Sequence, residues 1–134
     1  GEDITMQQTN LYQQYKIQSL ETMTREEVVV KLFEEASKQI GMGVFYETHE
    51  NTFKSFNCLA KAQKIMQSLN FSLDMKYAVS LELSEMYLFI HAKLGEAGAK
   101  KDVSLMKAIL SLVDELKVTF QQAEKLARTQ KKIV

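Results

Sequence analysis

The chain has 134 residues, 46% hydrophobic and 25% charged, which fits one globular domain around one core. Its 17 basic and 17 acidic residues cancel, so no global field draws it to nucleic acid or to an anionic membrane. A single cysteine, Cys58, excludes an internal disulfide and a cysteine-based metal knuckle; with no secretory-type segment and no apolar run near 20 residues, a reducing cytoplasm without membrane insertion is expected.

Residues 1–18 read as a polar leader. The stretch "NLYQQYKIQ", Asn10 to Gln18, carries Tyr12 and Tyr15 three residues apart without building a long apolar stripe. In a helical turn the two rings share one face and need something to receive them.

Residues 19–130 read as helices. In "TREEVVVKLFEEASKQI", Thr24 with Glu27 has capping-box spacing. Val28, Val29, Leu32, Phe33, Ala36 and Ile40 follow at helical period, with Glu27–Lys31 and Glu34–Lys38 at i,i+4 on the solvated side. The run of three valines alone would suit a strand, but the period after it is close to four. The chain has no proline, and four of its five glycines fall as Gly41 with Gly43 and Gly95 with Gly98. Breakers grouped in this way predict joints, the first over Gly41 to Glu50.

A second helix is expected from about Asn51 to Asn70, with Phe56, Leu59, Ala62, Met66 and Leu69 as its stripe and Lys54, Lys61 and Lys64 facing water. A third runs from Ser72 to about Ala97 and is apolar on two sides: Leu83, Tyr87, Ile90 and Leu94 on one, Leu81, Leu88 and Ala92 on the next. Such a helix is central in a bundle or shared with a partner. "GEAGAKKD" predicts the next turn and Asp102 the N-cap of a fourth helix. Met106, Ile109, Val113, Leu116, Phe120 and Ala123 carry that helix to roughly Thr129, and lysines suggest a frayed tail at 131–134. The expected fold is all-α, an antiparallel up-and-down four-helix bundle with the leader packed on it.

The chemistry such a bundle often holds is missing. A di-iron site needs Glu-x-x-His pairs, but Tyr46 and Leu88 stand three residues before His49 and His91. No glycine-rich phosphate cradle or Gly-x-Ser-x-Gly elbow is present, and Cys58 in mid-helix reads as a small core residue. Met66, Met86 and Met106 read as core filler, although thioethers also suit surfaces that accept varied apolar ligands. No catalytic residue, cofactor or metal is expected. One enzymatic alternative is histidine phosphotransfer at "HAKLG", because that family of bundles shows His-x-x-Lys-Gly. Here Gly95 is in place, but the cation Lys93 sits at i+2, about 200° around the helix from His91.

The leader and the helix order together resemble the FliS family of flagellar export chaperones. "NLYQQY" is similar to that family's Asn-x-Tyr-x-x-Tyr opening, and "TREEVVVKLFEEASKQI" to its Ser/Thr-Pro-Glu start and first helix. "LAKAQKIMQSLNFSLD" is similar to its Lys-Ala-Gln run leading into Leu-Asp, and "MYLFIHAKLGEAGAKKD" to the Leu-Tyr stretch before an Asp-led fourth helix. The resemblance spans about Asn10 to Lys125. Arg25 stands where the family has proline, "DMKYAVS" where it commonly has Gly-Gly, and Phe53 and Phe56 are bulkier than expected.

The resemblance implies a cytoplasmic chaperone that binds the C-terminal region of flagellin in an apolar groove and keeps it monomeric until export, with other flagellar export or regulatory proteins as further partners. It also gives the leader two open roles, a lid displaced by the client or a permanent staple. The candidate client-binding residues are Asn10, Tyr12, Tyr15, Ile65, Leu83 and Phe120.

Overall fold

The computed structural model describes residues 23–133, with side chains to residue 130. Four helices fill that span: α1 Arg25–Thr48, α2 Thr52–Phe71, α3 Ala78–Lys100 and α4 Val103–Ile133. Short turns join them, and each packs on its two neighbours in a ring, α4 returning to α1, so the fold is an all-α four-helix bundle. Phe33, Ile40, Leu59, Met66, Leu69, Ile90, Leu94, Met106 and Val113 form its fully buried centre. The α3–α4 seam is the loosest of the four.

The caps follow the sequence. Thr24 Oγ1 accepts from the Glu27 N–H at 3.2 Å, Asn51 Oδ1 from the Lys54 N–H at 3.2 Å, and Asp102 Oδ1 from the Leu105 N–H at 3.0 Å. The glycine-marked joints do not follow it. α1 continues through Gly41 and Gly43 to Thr48, and α3 through Gly95 and Gly98 to Lys100. The turns instead use non-glycine residues in the left-handed region, Glu50 at φ 59° and Lys101 at φ 54°.

The glycines serve packing. A methyl group on Gly43 would lie 2.8 Å from Leu59 Cδ2, and one on Gly98 3.4 Å from Leu59 Cδ1. Leu59 on α2 is thus seated between glycines of α1 and α3. Beside it the buried Ser55 hydroxyl donates to the Gly43 carbonyl at 2.7 Å. A methyl on Gly95 would meet the Gln63 amide at 3.0 Å, and that amide donates to the His91 carbonyl at 3.0 Å. Small residues let backbones approach until side chains of the next helix touch them directly.

Three further boundaries and faces depart from expectation. α3 begins at Ala78 instead of Ser72, because Asp74 closes a turn: its carboxylate accepts from the Lys76 N–H at 3.0 Å and its carbonyl from the Ser80 hydroxyl at 2.6 Å. Phe56 is 56% exposed and does not belong to the core stripe that Leu59, Ala62, Met66 and Leu69 form. The second apolar stripe of α3, with Leu81 and Leu88, faces solvent.

Candidate binding groove

At the end of the bundle where α1 begins, the loose seam opens into an apolar cleft of about 410 Å³. Val28, Val29 and Leu32 of α1 form one wall, Leu83 and Tyr87 of α3 another, and Phe120 and Ala123 of α4 a third; Leu69 and Leu73 close the inner end. Helical spacing explains the wall on α1: Val29 lies one turn before the buried Phe33, and Val28 and Leu32, one turn apart, border that core stripe.

Aromatic packing shapes the floor. Phe33, fully buried, stacks on Phe120 with centroids 5.0 Å apart and 20° between planes. It meets Tyr87 on the other side at 6.1 Å and 50°. Tyr87 keeps 2% exposure, and burial pushes its phenol up to about 12. Tyr87 is therefore a dry part of the wall even though the mouth of the cleft is open. The rim is polar and carries Glu26, Asp74 and Glu124 against a single Arg25. Glu124 also holds Arg128 at 3.4 Å.

The sequence-derived candidates separate in space. Leu83 and Phe120 line the cleft on facing helices, while Ile65 packs partly buried against the core and is no part of the lining. Asn10, Tyr12 and Tyr15 lie outside the described residues. Sequence reasoning placed Val28, Val29, Leu32 and Tyr87 in plain core stripes. Core and groove residues share one period, so no local signal separates them. Leu73 shares the turn after α2 with Met75 and Tyr77, which are exposed, so the turn's composition does not single it out either.

The elements of the phosphotransfer alternative are engaged elsewhere. His91 Nε2 faces the Gln67 amide at 3.1 Å. The Lys93 ammonium binds Glu96 at 3.0 Å, and hydrogen bonds from Lys93 and then Lys100 hold the Glu96 carboxyl below its ordinary range. Among the described residues no group of three His, Cys, Asp or Glu side chains gathers as for a metal, and no helix is long and apolar enough to cross a membrane.

Comparison with known proteins gives two matches. The profile of a family described as "Flagellar protein FliS" covers residues 8–127. The "Flagellar secretion chaperone FliS" of Bacillus subtilis (strain 168) is 26% identical over 114 residues, which takes in 85% of this chain and 86% of that protein.

Proposed function

The chain belongs to the FliS family, and from that premise we propose that it is a cytoplasmic flagellar export chaperone that holds the C-terminal region of flagellin in the cleft between α1, α3 and α4. The observation that supports this reading most is the cleft itself, apolar-walled and opened at the loosest helix seam. Its size is within the range of about 300–1,000 Å³ typical of ligand pockets, enough for the anchor side chains of one or two helical turns. A client helix would lay its apolar stripe across Leu83 and Phe120, which removes that stripe from other copies of the client. The client would order as it binds, so a broad contact still releases.

Tyr12 and Tyr15 enter as competitors for the same place. Met23, at the start of the described chain, lies in the groove wall. The stretch from Tyr15 to Met23 reaches up to about 28 Å when extended, sufficient to turn back over the cleft. Lys16 beside Tyr15 suits the carboxylates of the rim.

Titration with a peptide from the C-terminal region of the same organism's flagellin tests the reading. Binding below roughly tens of micromolar is expected, weakened at least about tenfold by Leu83→Glu, a loss of about 1.4 kcal/mol. Absence of binding in that range removes the proposal. Deleting residues 1–18 is expected to raise the on-rate or affinity for the peptide; an unchanged titration makes the tyrosines anchors only.

A further inference from the structure

Away from the groove, α2 carries an exposed aromatic pair at its start, Phe53 and Phe56, and a third exposed ring, Phe71, at its end. Phe53, Phe56 and Phe71 are 75%, 56% and 94% exposed. At 100° per residue they fall within about 60° of one another around the helix. Lys64, Lys61 and Lys54, all exposed, occupy the adjoining sector of about 80°. The 20 residues of α2 include no aspartate or glutamate. None of the ion pairs among the described residues uses these three lysines, and Lys54 rests 5.4 Å from the Tyr46 ring centre. In a chain whose charges cancel overall, this helix presents a local cationic row beside an aromatic one. Phe53 and Phe56 lie one turn apart, and Phe71 stands about 22 Å further along the same side, with Lys64 and Gln67 between them.

We infer that the outer face of α2 docks an acidic amphipathic helix of a partner protein, apolar stripe on Phe53, Phe56 and Phe71 and carboxylates against Lys54, Lys61 and Lys64. Charge complementarity selects this occupant over a second copy of the chain: α2 offers no carboxylate to answer its own lysines, and an antiparallel two-fold pairing of α2 faces would set one lysine row against another. Solvation alone accounts for the lysines but not for the neighbouring rings Phe53 and Phe56 left in water next to them, since adjoining exposed apolar surface marks interaction sites. None of these six residues lines the groove, so a partner on α2 and a segment in the groove can be held together. The surface is also rigid, because Ser55 and Leu59 anchor the same helix to Gly43 and Gly98.

Two designed helical peptides with one shared apolar stripe, flanked by glutamates in one and lysines in the other, test this against the isotope-labelled full chain by NMR. The glutamate peptide is expected to shift amides of Thr52–Phe71 and to bind at least about tenfold tighter than the lysine peptide at low salt, with the difference shrinking as salt screens it. Lys61→Glu with Lys64→Glu is expected to reverse the preference, and Phe53→Ser with Phe56→Ser to weaken both peptides, with unchanged helical circular dichroism. Equal binding of the two peptides overturns the inference. So do shifts confined to the groove around Leu83 and Phe120, absence of any shift on α2, and binding by phosphatidylglycerol vesicles alone. A failed flagellin titration leaves these outcomes as they are, because they are read on a different face.

Discussion

The two ends of the bundle solve opposite problems. At the end holding the Glu50 and Lys101 turns, Leu59 is wedged between Gly43 and Gly98, and Ser55 ties α2 to an α1 carbonyl. At the other end, large side chains, Phe33, Tyr87 and Phe120, keep the helices apart and leave a cleft. Small residues close a seam and large ones prop it open. A bundle with one end shut can leave the other unfilled without losing its register, because the shut end fixes helix spacing.

The largest test of that contrast is Leu59→Ala. Its side chain is 2% exposed and touches glycines on two helices that cannot relax toward the void. A loss of about 2–5 kcal/mol in denaturant unfolding is expected. An effect below about 1 kcal/mol would mean that the glycine end does not fix the spacing.

At the groove end the corresponding effect depends on pH. The phenol of Tyr87 rises to about 12 on burial from an ordinary value of 10.0. Between those values the folded protein keeps a proton that the unfolded chain releases, so stability falls as pH rises. The contribution is complete below pH 10 and is lost as pH passes about 12, about 2–3 kcal/mol in all. Comparing unfolding of the wild type and Tyr87→Phe across that window checks this. The variant keeps the ring against Phe33 and should lack this part of the alkaline loss. Identical pH profiles would show that water reaches the phenol and that the cleft wall is wet.

Next in size is a pair of neighbours that should move in opposite directions. Gly41→Ala meets nothing within 4 Å and gains helix propensity, up to about 1 kcal/mol. Gly43→Ala has the same gain but drives a methyl to 2.8 Å from Leu59 Cδ2, and Leu59 cannot swing away because Gly98 confines its other methyl. Overpacking of this kind costs about 1–3 kcal/mol, so a net loss is expected. Thermal unfolding of both variants reads the sign directly, and a gain at both positions would dissolve the distinction between the two glycines.

These cases also show what the sequence could carry. Thr24, Asn51 and Asp102 name their helix starts because a cap is a local hydrogen bond. The four-helix order and most of the core, such as Leu59, Met66, Ile90 and Val113, follow from period alone. Gly43 and Gly98 misled because a turn glycine and a contact glycine are the same letter, and only a neighbouring helix tells them apart. Phe56 misled for a related reason: it lies at the edge of the buried stripe, and whether such a position faces core or water depends on how α3 tilts across it. Leu83 and Phe120 were named, but their meeting in one cleft with Val29 and Leu73 is a property of the loose α3–α4 seam, which no segment encodes by itself.

The smallest expected effect follows from the same misplacement of glycine. Lys101 adopts φ 54° at the end of α3, with its own N–H toward the Gly98 carbonyl at 3.4 Å and the following N–H of Asp102 on the Ala97 carbonyl at 2.9 Å. This is the position where helices most often use glycine. A side chain there costs about 1–2 kcal/mol in the left-handed region, while glycine loses more freedom on folding, roughly 0.5–1 kcal/mol. Lys101 is exposed, and its neighbour Lys100 makes the ion pair with Glu96, so replacement sacrifices no contact of that kind. Lys101→Gly is therefore expected to stabilise the bundle by about 0.5–1 kcal/mol. Glu50→Gly, at φ 59° in the other turn of the same end, should shift the denaturation midpoint in the same direction. Because both residues sit at the closed end, the added stability should leave unchanged any affinity for the proposed flagellin peptide at the groove. A variant that gains stability and loses affinity would show that strain at the turns is transmitted to the cleft, and that the two ends are not independent.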